Sequence, residues 1–272
     1  MRWSVCVVLL SVFLSGCSKD YEKIELFCRE EGSGTREMFA ENLGLVSDGI
    51  DQIADFASVT NSGAVILSAV SRNKNAIGFL SAAAVSEDVK PVSIDGKNIK
   101  DGNEYPLSRD FLIAYDGDRK DEIINDFLSY LSSLNIYGIV EKMGYFSVNN
   151  NLQYQAGEDL TGDLTIAGSA SVYPLMEQLV SEYKQYQPNV KIEVQQNDSS
   201  TGISLLSRGI TDLAMSSRKI KEGELDKRFR TISIARDAIA VIVHPSNTKN
   251  DFSIEELASV FSGKIRTWND MV

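Results

Sequence analysis

LTIAGSASVYPLMEQLVSEY, residues 164 to 183, changes periodicity partway through. Leu164 to Ala167 reads as a strand, Gly168 to Ser171 as a polar turn, and a helix is expected from about Val172 to Gln187. Within that helix Leu175, Leu179 and Val180 recur at helical spacing, with Tyr183 continuing the apolar stripe. Strand, short polar turn, amphipathic helix is the repeating unit of an α/β fold, and the same unit returns on either side. Upstream, Lys23 to Cys28 (KIELFC) reads as a strand, EEGSGT as a turn, and Arg36 to Leu43 as a helix. Downstream, Lys191 to Gln196 alternates like a half-buried strand, and NDSSTG leads into a helix over Ile203 to Arg208. Ala238 to Val243 is a continuous apolar run of the kind found in buried strands. Ser253 to Glu256 has capping-box form ahead of a short helix ending near Gly263. Asn149 to Asp163 breaks the rhythm: polar, aperiodic and rich in Asn and Gly, it reads as a linker. No internal repeat is evident across it.

Composition sets the bounds. The 272 residues, 43% hydrophobic, suffice for one large domain or two modest lobes. Residues 1–16 read as an export leader: Met1-Arg2 is a minimal charged start, and the apolar run Trp3 to Leu14 is too short to span a bilayer stably. Leu14-Ser15-Gly16-Cys17 resembles a bacterial lipoprotein cleavage box, in which Cys17 becomes the lipidated first residue. The alternative is a plain signal peptide with an incidental cysteine. Without Arg2 the 27 basic residues fall to 26 against 38 acidic ones, a net charge of −12. Nucleic acid, which demands clustered basic charge, is not an expected partner. A small anion is still compatible, because a buried site can be locally positive inside an acidic protein. Cys28 is the one cysteine left after Cys6 and Cys17, so no intramolecular disulfide is available, and it reads as a buried strand residue. His244 is the single histidine, and no Cys/His cluster has metal-ligand spacing; neither metal nor cofactor is expected.

Three turns share one construction: GSGT (32–35), GSAS (168–171) and DSSTG (198–202). Each follows a strand and precedes a helix. The first turn of a helix leaves backbone N–H groups unpaired at the positive end of the macrodipole. Hydroxyls add donors, and glycine lets the backbone approach an oxyanion closely. In open α/β sheets such loops gather at the carboxyl ends of strands, where ligands bind. Taken singly, each loop is equally compatible with an ordinary helix cap. Arg29 and Arg218 flank two of them, and a guanidinium is a fork of donors matched to oxyanions.

GSASVYPLMEQL, KIEVQQNDSSTGISLL and GITDLAMSSRKI resemble the opening half of bacterial phosphate-binding proteins, the receptors of phosphate ABC transporters. ELASVFSGKIRTWNDM resembles their middle; REEGSGTREMF, NAIGFLS and YPLSRDFLIAY resemble their closing half. The order differs from the usual one, since Trp268 lies at the end of this chain and Arg29 at its beginning. The natural C-terminal part, ending near Gly144 to Val148, runs through the 149–163 linker into the natural start. That is the arrangement of a circular permutant; a piece of a tandem of two copies would give the same order.

The resemblance implies a two-lobed α/β fold of the periplasmic-binding-protein kind (type II-like), with ligand in the cleft between lobes. On the permuted order lobe I is residues 107–235, and lobe II combines 17–106 with 236–272. Phosphate-binding positions are implied at Ser171 and Val172 (the latter through its N–H), Ser199, Ser217, Arg29, Ser33, Gly34 and Thr35. Ser200, Thr201 and Arg218 are adjacent, and Glu31 is either an ion-pair partner for Arg29 or a solvated surface residue. Ser217 stands where part of the family places an Asp that accepts the proton of hydrogen phosphate, which puts discrimination against sulfate in doubt. The implied protein is a monomeric extracytoplasmic receptor, lipid-anchored to the membrane, that delivers inorganic phosphate to permease subunits. A receptor for sulfate or molybdate, or a phosphate-sensing or adhesive relative, remains open. An exported serine hydrolase fits poorly, since no G-x-S-x-G elbow is present.

Overall fold

The computed structural model describes residues 23–148 and 152–271. The leader 1–16, Cys17 and residues 149–151 of the expected linker lie outside the described residues. In chain order the elements begin β1 (Glu25–Arg29), α1 (Gly34–Asn42), β2 (Val46–Ser47), β3 (Ile50–Asp51), β4 (Ser58–Thr60), α2 (Gly63–Arg72) and β5 (Ala76–Ser81). There follow β6 (Lys90–Pro91), β7 (Ser93–Ile94), β8 (Ser108–Asp116), α3 (Glu122–Leu131), α4 (Tyr137–Lys142), β9 (Gly162–Ser169) and α5 (Tyr173–Tyr183). The last are β10 (Val190–Asn197), α6 (Ser199–Ser207), β11 (Leu213–Ser216), β12 (Phe229–Val243), β13 (Asp251–Phe252) and α7 (Ile254–Phe261).

The main sheet runs β10-β9-β11-β8-β12-β5-β1-β4, with β6 also on β12. At one end β10, β9 and β11 are parallel, joined through α5 and α6; at the other β5, β1 and β4 are parallel. Parallel neighbours need crossover connections, so helix starts collect at the carboxyl ends of these strands. Between the two sets lies an antiparallel ribbon of β8 and β12, in which Arg109 is paired in register with Asp237. The first part of β12 pairs with β8, and its end, Ile239 to Val243, passes to β5.

Each half has its own core. One gathers Phe111, Ile113, Leu164, Ile166, Leu175, Leu179, Tyr183 and Leu213. The other gathers Leu26, Phe39, Phe79, Leu107, Val241, Leu257 and Phe261. There Phe39 stacks on Phe79 with centroids 3.9 Å apart, and Phe261 meets Phe39 edge-on at 4.7 Å. A fully buried side chain of this size contributes roughly 1.5–3 kcal/mol. Cys28 lies fully buried in the same core, and burial pushes its thiol upward, away from reactivity.

Element boundaries differ from expectation in instructive places. Helix α6 begins at Ser199, not near Ile203, so DSSTG is the cap and first turn of the helix itself. Helix α5 ends at Tyr183, short of Gln187. The Gln187 amide accepts from Leu160 N–H and donates to Glu158 O, tying down the segment that reads as a linker. That segment is anchored more firmly still by Tyr154, only 6% exposed. Its hydroxyl donates to Asp126 at 2.7 Å, and its ring sits among Tyr130, Tyr183 and Tyr186. One buried aromatic outweighs the polar composition around it. Strand β12 starts at Phe229, well before Ala238, because its polar first part is held by pairing with β8.

Candidate functional site

The starts of α1, α5 and α6 meet at the junction of the two halves. Gly34, the first residue of α1, lies so close to the other half that a Cβ there would stand 2.5 Å from Ser217 Oγ and 2.6 Å from Ser199 Oγ. Only glycine permits that approach. Thr35 Oγ1 lies 3.0 Å from Ser171 Oγ, which closes the third side. The structure therefore brings Ser33, Gly34 and Thr35 together with Ser171, Ser199 and Ser217, although the two groups are well over a hundred residues apart in sequence. Ser33, Thr35, Ser199 and Ser217 are all buried.

Their donors are turned inward. Ser33 is the N-cap of α1 but its side chain makes no cap bond. Among the described residues the N–H groups of Gly34 and Thr35 have no partner. At α6 the capping task falls to Asp198, which accepts from Thr201 N–H at 2.8 Å, leaving Ser199 Oγ to face Ser217. Val172 sits at the N-cap of α5, and its N–H, the group through which it is expected to act, donates to Ser169 O at 3.0 Å within the turn. Thr201 is exposed and bonded to Asp198 through both its N–H and hydroxyl, so it does not face the cluster.

The cationic groups divide into three roles. Arg29 is buried; its Nε and Nη2 donate to Glu30 at 2.9 Å each, and Nη2 also donates to Asn61 O at 3.1 Å. The carboxylate that orients Arg29 is therefore Glu30; Glu31 is exposed, the solvated alternative. Arg29 and Ser171 line a cavity of about 480 Å³ shared with Ser62, Leu80, Tyr145 and Gln196. Arg218 is engaged on both sides of the junction. It reaches Glu37 on α1 at 2.8 Å, Glu224 at 2.5 Å and Ser200 Oγ at 2.9 Å, bridging the halves. Burial works against its charge, but the bond to Glu224 and the charge of Glu37 outweigh it and hold its pKa above the ordinary value.

Arg109 is the third cation, and sequence reasoning missed it. It is 3% exposed, and its guanidinium donates to Asp237 at 2.8 and 3.2 Å and to Thr35 Oγ1 at 2.6 Å. Asp237 also accepts from Ser81 at 2.9 Å. Burial pushes the Asp237 carboxyl upward, and the Arg109 partner opposes it. A signal was present in the alternation of β8: Arg109 falls in phase with buried Leu107, Phe111 and Ile113. A charge on the buried face of a strand needs a partner.

Taken together, the site offers hydroxyls, free backbone N–H groups, three helix N-termini and a guanidinium edge, and among the described residues the bordering carboxylates of Glu30, Asp198 and Asp237 are each engaged by their own donors. Such a set of donors suits a tetrahedral oxyanion held by dipoles. Two α/β halves joined by a crossing ribbon, with ligand donors at the junction, define a substrate-binding protein of the periplasmic type. The family description "PBP superfamily domain" matches residues 154–271. Phosphate-binding protein PstS 2 of Streptococcus agalactiae is 39% identical over 95% of this chain and 92% of its own length. The chain belongs to this family of phosphate-binding proteins, whose members are binding receptors and not enzymes. The crystal structure of a phosphate ABC transporter phosphate-binding protein from Streptococcus pneumoniae superposes with a TM-score of 0.76 at 36% identity, covering 92% of this chain and 100% of that one. The phosphate-binding protein PstS of Pseudomonas aeruginosa, by contrast, aligns at 30% identity over 44% of this chain and 42% of its own.

Proposed function

We propose that this protein is an extracytoplasmic receptor that binds inorganic phosphate between its two halves and presents it to the permease of an ABC transporter. The observation that carries this reading is the meeting of GSGT, GSAS and DSSTG around Gly34, with the Gly34 and Thr35 N–H groups left open. Arg29, Ser33, Gly34 and Thr35 from one half, and Ser171, Ser199 and Ser217 from the other, hold the anion. Val172 contributes by sharing its N–H between Ser169 O and the ligand. Arg218 and Ser200 latch the closed cleft. The halves divide at the β8–β12 ribbon, near residues 106/107 and 235/236, and the protein acts as a monomer. Calorimetric titration with phosphate tests the reading: one anion bound per chain is expected, and no heat at millimolar phosphate removes it.

Cys17 is the proposed lipid attachment point. Incorporation of labelled fatty acid should be lost in Cys17→Ala and kept in Cys28→Ala. The chain order is proposed to be a circular permutation of the usual one. Two facts support it: end-to-end alignment with the S. agalactiae relative, against alignment over less than half with the P. aeruginosa one. Closure of the cage within a single chain speaks against a tandem piece that depends on a second copy. A receptor for sulfate or molybdate is the second reading, favoured by the hydroxyl of Ser217 at a position where a carboxylate would accept a proton.

A further inference from the structure

The hairpin that follows α1 carries more than its own folding needs. Asp48 and Gly49, with φ of 52° and 78°, form a two-residue turn in the left-handed region, which is enough to reverse β2 into β3. The hairpin is also held firmly at its base. Arg36 Nε and Nη2 donate to the two carboxylate oxygens of Asp51 at 2.8 and 2.9 Å, and Gln52 N–H donates to Leu45 O at 2.8 Å. None of this calls for bare aliphatic groups, yet Val46 is 40% exposed and Ile50 68%. An aliphatic side chain displayed on a rigid support loses little freedom when a partner packs on it.

Val46 and Ile50 border a hollow of about 540 Å³ between the hairpin and α1. Its opposite wall is acidic. Glu37 and Glu41 stand one turn apart on α1, on the same face of the helix, and Glu31 lies at the approach. Glu31 and Glu41 are exposed and have no ion pair among the described residues. The neighbouring cations are already spent, Arg36 on Asp51, and Arg218 and Lys221 on Glu37. Lys221 belongs to the other half; it meets Glu37 at 2.6 Å and closes one end of the hollow. The hollow is therefore complete only while the two halves are together. A partner fitted to the complete hollow distinguishes a closed receptor from an open one without touching the anion.

We propose that this hollow is where the permease docks: it receives a segment that presents a lysine or arginine beside an aliphatic side chain, and it does so while the halves are closed. The proposal rests on the receptor reading above and names the surface and the chemistry of its partner. The cation meets Glu31 and Glu41, whose charges are unspent, and the aliphatic group covers Val46 and Ile50. A second copy of this chain fits poorly, because it would set one acidic wall against another in a protein of net charge −11. The contact is small, as suits a receptor that must let go after each delivery.

The test separates delivery from binding. Glu41→Lys and Ile50→Ser change exposed positions outside the anion cage, so calorimetry should give phosphate affinities within about twofold of wild type for both. Phosphate uptake by cells that depend on the variant as their receptor should nevertheless fall about tenfold at equal receptor level. Ile210→Ser, at an aliphatic residue 53% exposed on the other half, should leave uptake unchanged. A photoreactive phenylalanine analogue in place of Ile50 should form an adduct with a permease subunit when phosphate is present, and at least about threefold less without it. Normal uptake in both variants, an adduct between two receptor copies, or an adduct indifferent to phosphate would each overturn the docking surface while the phosphate receptor stands. Absence of phosphate binding by the wild-type chain overturns both.

Discussion

Helices α1 and α7 both open on a serine, Ser33 and Ser253, and use it in opposite ways. Ser253 Oγ accepts from Glu256 N–H at 3.0 Å and the Glu256 carboxylate accepts from Ser253 N–H at 2.9 Å, a complete capping box. Ser33 makes no cap bond, and the N–H groups behind it stay open. Residue type cannot separate the two cases, since serine favours the N-cap in both. What separates them is the partner three positions into the helix and the surroundings. At α7 Glu256 turns back onto the cap; at α1 the helix start is pressed against a second set of hydroxyls. A helix start without an internal cap is the arrangement expected of one that serves a ligand, as proposed above for α1.

The comparison breaks most visibly if the support behind α1 is removed. Asp237→Ala leaves Arg109 buried and uncompensated, so a stability loss of about 3–5 kcal/mol is expected from denaturant unfolding, together with loss of anion binding. Gly34→Ala is the next largest. Its Cβ would strike Ser217 and Ser199, so anion affinity should drop by about a hundredfold, and the clash at the junction should cancel the small gain in helix propensity. A paired substitution then sharpens the contrast. Ser253→Ala should cost about 1 kcal/mol of stability with unchanged anion affinity. Ser33→Ala should cost a few tenths of a kcal/mol of stability yet weaken the anion about tenfold. Equal stability losses in the two would show that Ser33 is an ordinary cap.

The smallest effect is acid sensitivity. The bond from Lys249 holds the Glu256 carboxyl below the ordinary glutamate value, outweighing burial, with the Ser253 N–H assisting. A folded-state pKa below the unfolded one adds stability above the ordinary value, lost as pH falls through the folded value. The melting difference between wild type and Glu256→Gln should therefore shrink in acid, whereas Ser33→Ala should show no such trend.

Much of this was legible in the sequence because it is local. GSGT, GSAS and DSSTG each announce a strand-to-helix turn within a few residues, and burial of Leu175, Leu179 and Tyr183 follows from spacing alone. The Ser253 cap was legible, because Glu256 completes its capping box three residues on; what the start of α1 faces was not, because Ser199 and Ser217 reach Gly34 only through the fold. Arg109 and Asp237 lie 128 residues apart and meet only through the register of β8 and β12. The Glu30 side chain, and not that of Glu31, turns toward Arg29, which rests on local backbone direction that composition does not report. Tyr154 shows the converse error, in which a polar average concealed one deeply buried ring.

The placement of Arg109 has a mechanical consequence. Its guanidinium touches the anion cage at Thr35 while its carboxylate partner belongs to the only ribbon that crosses from one half to the other among the described residues. The cage thus sits beside the axis about which the halves would turn. Close to an axis, a rotation moves atoms little; far from it, the same rotation moves them in proportion to their distance. Hydrogen bonds at the cage tolerate only a few tenths of an ångström, so a ligand held there, as proposed, would act on the short arm of a lever whose long arms are the outer faces of the two halves.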